Sequence, residues 1–374
     1  MTMISREARC GVVALALLTT TLTACGGGGE ASPWSTKTAT TGSLDQLVTA
    51  AKAEGTLTVF TPIVQSEVEE WTAAFGKKYG IKVAIQRQSS STLGTTFSTQ
   101  VRAHKVEADV FQTSNRGQVQ EFVDNGWFAN YTPQTAAQYP ADTTIPGHAY
   151  PLYETIGNIA WNTKTVPPEV QAKLEADPYE GMLDPALKGK IVLIDPGHGG
   201  SGMAYYANLV ANHADKYGWP YLEKLAAQEP AINTSISTMA QQVSAGTYSV
   251  TIFGDDAVFG PLAAGGAPLR FSSISPMNSS LFYQEIPSDA PHPATARLFS
   301  EWSQSLEGQQ AMSVATGGRS TMKGWQENRP FVAKLPWYRV PDEIWLDWQT
   351  DPRFAGDQLK SFVEKWNTTF HVAS

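Results

Sequence analysis

The sequence predicts an α/β protein of two lobes, each a mainly parallel sheet flanked by helices, joined by two extended crossovers. Three observations predict it. Strand-like and helix-like segments alternate between residues 44 and 125, and the same rhythm returns between 190 and 253. Residues 152–162 and 281–286 read as extended and stand where a chain would pass from one lobe to the other and back. Alternation of this kind is the signature of parallel sheets with covering helices.

The elements follow in order. Leu44, Leu47 and Ala51 fall at helical spacing, with Ser43 placed to cap the start and Gly55 to close the end. Residues 56–60 read as a buried strand, followed by the turn Thr61-Pro62-Ile63 and a helix over 65–79 that Gly80 ends. A strand at 81–85 leads to Ser89-Ser90-Ser91 and a helix over 93–104. A strand at 109–112 ends in Thr113-Ser114-Asn115 before a helix to residue 125. In the middle, 190–194 is a strand, 195–202 a glycine-rich loop, and 203–212 a helix. Residues 237–246 read as helix and 248–253 as strand, with Gly254-Asp255-Asp256 as the loop beyond it. Helices over 293–305 and 308–316 follow. The expected organisation is a signal at 1–24, a tether at 25–43, the first lobe at 44–155, the second at 156–282, and a return to the first at 283–374 with C-terminal helices.

The N-terminus indicates where the protein works. Arg6 and Arg9 precede an apolar stretch at 11–18 that is too short to span a bilayer and fits a signal-peptide core. Leu22-Thr23-Ala24-Cys25 resembles a bacterial lipobox, whose cysteine becomes the acylated first residue of the mature chain. An ordinary secretory signal with a chance cysteine is the alternative. Cys10 and Cys25 are the two cysteines, so a chain cut before Cys25 would hold no disulfide and no cysteine metal site. One acyl chain anchors only marginally, so Cys25 would need more than one. The Gly/Ser/Thr-rich stretch to about residue 43 would act as a coil reaching about 20–25 Å.

A formal net charge of −8 and 42% hydrophobic residues describe a globular protein, without the basic stripe that nucleic acid requires. Beyond the signal no apolar run approaches the length of a second membrane span. No cofactor or metal is expected, and the body is expected to be a monomer.

Several fragments, in order, resemble the type II periplasmic binding proteins, specifically the iron(III)/phosphonate/thiamine/polyamine-related branch of solute-binding lipoproteins serving ABC importers. Residues 51–61 (AKAEGTLTVFT) resemble that family's opening helix and strand, 108–111 (ADVF) the strand ending at its cleft, and 158–164 (NIAWNTK) the entry to its second lobe. Residues 187–196 (LKGKIVLIDP) resemble that lobe's strand. Ala290-Pro291-His292-Pro293, Leu298-Phe299 and Ser305-Leu306-Glu307-Gly308-Gln309 are similar to its C-terminal signature. The resemblance implies a binder that closes on ligand between its lobes and presents it to a membrane permease.

Ligands of open α/β sheets bind beyond the carboxyl ends of the strands, near helix N-termini. That rule selects Thr61, Ser89, Ser90, Ser91, Thr113, Ser114 and Asn115 in the first lobe. In the second it selects Gly200, Ser201 and Gly202, together with Asp255 and Asp256. Helix starts favour anions and glycines permit close approach, so the expected ligand is a small anionic or zwitterionic organic solute, with a phosphonate or phosphate ester favoured. Asp255, Asp256 or Glu154 in the first crossover would then receive an ammonium group. Each of these residues could instead serve only as a helix cap or in packing.

Three rivals stand beside this reading. Ferric iron usually takes adjacent tyrosines in the family's late loop, where this chain has none; Tyr205-Tyr206 lies in a helix and reads as packing. A polyamine would fit the same fold. A lipid-anchored hydrolase would use Ser201, yet Met203 breaks the nucleophile-elbow pattern, and no enzymatic activity is expected.

Overall fold

The computed structural model describes residues 42–198, 201–272, 277–340, 344–345, 351–354 and 356–372. The expected signal, Cys25 and Gly200 lie outside the described residues, as does the Ser201 side chain.

The first lobe begins with α1 (Leu44–Glu54), β1 (Thr56–Thr61), α2 (Gln65–Tyr79), β2 (Lys82–Arg87), α3 (Ser90–Arg102), β3 (Val110–Thr113) and α4 (Arg116–Asp124). Ser43 caps α1 in a capping box with Gln46, and Gly55 ends it in the left-handed conformation at φ 72°. Strand alternation then divides two cores. Leu57 and Val59 face Trp71 and Phe75 of α2, whereas Phe60 faces Leu93 and Phe97 of α3.

A 13-residue strand, β4 (Tyr150–Asn162), leaves this lobe buried along its whole length. The second lobe adds α5 (Pro168–Ala176), α6 (Pro178–Gly181), β5 (Ile191–Ile194), α7 (Ser201–Asn212), α8 (Ala214–Tyr217), α9 (Trp219–Ala226) and β6 (Ala231–Asn233). It continues through α10 (Ile236–Ala245), β7 (Val250–Asp255), α11 (Asp256–Ala264) and β8 (Leu269–Ser272). The return strand β9 (Met277–Glu285) leads to α12 (Pro293–Ser303) and α13 (Leu306–Thr316), then α14 (Pro330–Lys334), β10 (Ile344–Trp345) and α15 (Asp357–Thr369).

The sheet order is β2-β1-β3-β9-β4-β7-β5-β6, with β8 on β4 and β10 on β9. β1, β2 and β3 pair in parallel, as do β5, β6 and β7, while the crossover strands β4 and β9 pair antiparallel with each other and with β3, β7 and β8. Along one edge of β4, β9 covers Tyr150–Ile156 and β8 covers Ile159–Asn162. Along the other, Arg319 bridges Glu154 and β7 takes over from Gly157.

At the crossovers, two details differ from the sequence expectation. Gly254 and Asp255 close β7 and Asp256 opens α11, so no loop separates strand from helix. Gly254 permits this, because a Cβ there would stand 2.5 Å from the Ala160 Cβ. The return strand also begins earlier than residue 281, since Asn278, Ser279 and Ser280 are polar yet buried.

The C-terminal segment ends on the second lobe. Phe331, Tyr338, Phe362 and Trp366 belong to its core, and Trp366 leans on Tyr206 at 5.3 Å. After α13 the chain therefore passes between the cores a third time, at 317–329.

Candidate functional site

The registers fix where the strands stop. Thr113 stands beside Tyr283, which stands beside Pro151, so the parallel strands of the first lobe end level with the start of β4. In the second lobe, β7 runs against β4 and brings its carboxyl end, Asp255, to Gly157. The carboxyl ends of both sheets thus face one another across residues 152–156 of β4, about 17 Å of strand. This is the position at which open α/β sheets bind ligands.

On the first-lobe side, the selected residues sit at strand ends and helix starts. Thr61 is buried and its hydroxyl accepts from the Ile63 N–H at 3.2 Å. Ser89 caps α3 through the Thr92 N–H, and its hydroxyl lies 3.1 Å from that of Ser91. Thr113 Oγ1 accepts from the Asn115 N–H at 3.1 Å, and Asn115 caps α4 through the Gln118 N–H at 3.0 Å. The two helix starts meet where Ser90 Oγ and Ser114 Oγ stand 3.3 Å apart. Nearby, Arg116 holds the carbonyls of Asp142 and Thr144 and so fastens the loop after α4.

Across the gap, Glu154 is buried and paired with Arg319, whose backbone also exchanges hydrogen bonds with Glu154 at 2.8 and 2.9 Å. Burial raises the Glu154 carboxyl above its ordinary range, against the pull of Arg319. Asp256 is fully buried, accepting from the Ile156 N–H at 2.8 Å, Arg329 Nη1 at 2.7 Å and the Tyr338 hydroxyl at 2.5 Å. Both carboxylates are therefore engaged within the protein.

Asp255 differs. It is 6% exposed and caps α11 through the Ala257 N–H at 3.0 Å. Burial first, then the adjacent Asp256 charge, push its carboxyl up to about 7, with Glu67 adding to the rise. Glu67, in the first turn of α2, is also raised to about 7 by burial, against the pull of Arg87. The buried Tyr153 phenol feels both carboxylates. Neither Glu67 nor Asp255 forms an ion pair among the described residues. A cavity of about 340 Å³ opens at Glu67, walled by Ala257 and Pro261 of α11, Gly317 after α13, and Phe331 and Lys334 of α14.

The selected residues thus fall into two groups, hydroxyls around Ser90 and Ser114 and carboxylates around Asp255. No hydrogen bond joins the two groups among the described residues. Gly202 opens α7 hard against Ile194, where a Cβ would lie 2.9 Å from Ile194 Cγ2. Tyr205 and Tyr206 are buried; Tyr206 donates to the Ile194 carbonyl at 2.9 Å and Tyr205 stacks on Tyr179 at 6.1 Å. Glu67, Arg319 and Arg329 were not selected from sequence.

The signature residues near the C-terminus turn out to be fastenings. His292 donates its backbone N–H to Asp109 at 2.7 Å, and Glu54 accepts the first N–H groups of α12 from Ala294 and Thr295. Gly308 receives Trp71 Nε1 on its carbonyl at 3.1 Å.

The comparisons agree with this architecture. The bacterial extracellular solute-binding protein family model matches residues 55–310. An uncharacterized protein of Haemophilus influenzae is 24% identical over 335 residues, 85% of this chain and 91% of its own length. Among solved structures, the periplasmic binding protein AfuA of Actinobacillus pleuropneumoniae, with fructose-6-phosphate bound, is similar at a TM-score of 0.63. It shares 20% identity over 86% of this chain and 100% of its own. Iron-bound HitA of Pseudomonas aeruginosa matches at 0.63 and 17% identity, over 85% of this chain and 99% of its own. A substrate-binding protein of an Agrobacterium tumefaciens ABC transporter matches at 0.67 and 16%, over 84% and 94%. With the two-lobed type II periplasmic-binding fold and a family match over most of its length, the chain belongs to the bacterial extracellular solute-binding proteins, the solute-capturing components of ABC importers.

Proposed function

We propose that this protein captures a small zwitterionic organic solute, a phosphonate or phosphate ester bearing an amine, between its lobes and delivers it to an ABC permease. The observation that carries the reading is the cross-lobe pair Glu67 and Asp255, two carboxyl groups at the junction of the lobes without an ion-pair partner among the described residues. An ammonium group placed there would supply the missing positive charge. The helix starts at Ser90 and Ser114 offer N–H groups and hydroxyls to the anionic end. The likeness to a protein solved with a sugar phosphate supports that half of the reading. The lipobox-like segment supports tethering of the mature chain through diacylated Cys25 at the outer side of a cell membrane.

The same carboxylate pair favours a polyamine as the second reading, and the likeness to iron-bound HitA keeps ferric iron as a third. A thermal-shift panel of aminoalkylphosphonates, sugar phosphates, thiamine, polyamines and ferric citrate separates them. A ligand at 100 times its Kd adds about 2.7 kcal/mol, which amounts to several degrees. A shift with an amine-bearing phosphonate or phosphate ester, absent for the free polyamine, is the expected outcome. A shift with spermidine or ferric citrate alone would replace it.

A further inference from the structure

A second pocket lies on the flank of the second lobe, apart from the junction. It has a volume of about 350 Å³ and is lined by Trp161 of β4, Glu175 of α5, Arg270 and Phe271 of β8, and Trp337 and Arg339 after α14. That volume is at the small end for organic ligands. Three features make it a built site rather than a surface dent.

Its charge is unbalanced. Arg270 Nε pairs with Glu175 at 3.0 Å, and among the described residues no other carboxylate lines the pocket. Among the described residues, Arg339 donates Nη1 to backbone carbonyls alone, those of Pro336 at 2.7 Å and Tyr338 at 2.6 Å. Among the described residues, two guanidiniums face one carboxylate there, in a chain whose net charge is −8. Its walls are aromatic and fixed. Trp337 stands edge-on to Phe271 at 4.9 Å and carries Arg270 over its ring at 5.4 Å. Its buried tryptophan is unsatisfied. Trp161 is 1% exposed and its indole N–H has no hydrogen-bond partner among the described residues. An orphaned buried donor costs about 1–3 kcal/mol and calls for a reason.

We propose that this pocket binds an aromatic carboxylate, its anionic head held by Arg270 and Arg339 and its flat body set among Trp337, Phe271 and Trp161. Guanidinium and carboxylate match as paired N–H···O bonds. Indole and phenyl walls favour a flat apolar body over a small hydrated anion. The head group can come from a free metabolite or from the C-terminal carboxylate of a partner protein ending in an aromatic residue. The inference stands independently of the solute bound at the lobe junction.

The test uses the full-length protein in detergent, with the Trp161 indole N–H resonance assigned through Trp161→Phe. Benzoate and acetyl-Ala-Phe with a free C-terminus are titrated, with benzamide and the peptide amide as neutral controls. The expected result is saturable movement of the Trp161 resonance with either acid at up to about 10 mM, at least about tenfold weaker in Arg339→Gln. Tighter binding of benzoate identifies a free ligand, and tighter binding of the peptide identifies a partner's C-terminus. Equal shifts with the neutral controls, no shift with either acid, or an unchanged affinity in Arg339→Gln would overturn the proposal. Arg339 is exposed, so its replacement leaves the fold intact, and a thermal midpoint equal to that of the unchanged protein verifies this.

Discussion

Arg329 and Asp256 form an ion pair at 2.7 Å in which neither side chain is exposed. Arg329 is further held by Glu327 at 2.8 Å and by the Tyr338 hydroxyl at 3.2 Å, so its positive form is strongly favoured. Removing one partner from a buried pair strands the other charge. Arg329→Met is expected to cost about 3–5 kcal/mol, read as a lower urea midpoint at unchanged slope. Adding Asp256→Asn to that variant should recover part of the loss, and a double variant no better than the single one would show that Asp256 was not the stranded group.

Asp255 gives stability an unusual pH dependence. Its folded carboxyl titrates near 7, against an ordinary value of 3.8. The folded state therefore holds a proton that the unfolded chain releases, and stability falls as pH rises from about 4 through 7. Glu67 contributes in the same direction. Asp255→Asn should flatten the decline and stabilise the protein at pH 8, by at most about 4 kcal/mol. Unfolding curves at pH 5 and pH 8 test this, and a slope unchanged by the substitution contradicts it.

The same groups must lose their protons to receive an ammonium. Binding of an amine-bearing ligand should tighten between pH 6 and 8 and release protons, measured by calorimetry in buffers of differing ionisation heat. The deaminated analogue should show neither effect. Glu67→Gln and Asp255→Asn should each weaken the amine-bearing ligand by roughly tenfold or more while sparing the analogue. Equal losses for both ligands would remove the carboxylates from that role.

Gly308 illustrates a different constraint. A Cβ at this position would stand 2.0 Å from the Trp302 carbonyl oxygen. Gly308→Ala must push α13 away from α12 and disturb the Trp71 hydrogen bond to the Gly308 carbonyl. We expect a loss of about 2–4 kcal/mol and altered tryptophan emission. A thermal midpoint equal to that of the unchanged protein would show that the two helices can separate without cost.

The parts of the fold legible in the sequence are those governed by local rules. Ser43, Gly55 and Gly80 mark helix ends by their own chemistry, and β1 and β5 show themselves as short apolar runs. The start of β9 was hidden because Asn278, Ser279 and Ser280 are polar but lie in a buried crossover. The end of β7 was hidden because Gly254-Asp255 reads as a turn unless the Ala160 methyl opposite is known. Glu67 could not be chosen from sequence, since only the folded chain brings α2 to the end of β7. The Asp256 and Glu154 partners, Arg329 and Arg319, lie far along the chain for the same reason.

The third passage between the cores bears on motion. With Arg319 bridged to one edge of β4 and β9 paired to the other, a single bridge adds a third backbone connection beside the two crossover strands. We expect that third connection to limit twisting of one lobe against the other and to leave opening along a single arc. The lobe surfaces offered to the membrane after closure would then meet the permease in a single registration, whatever the size of the cargo inside.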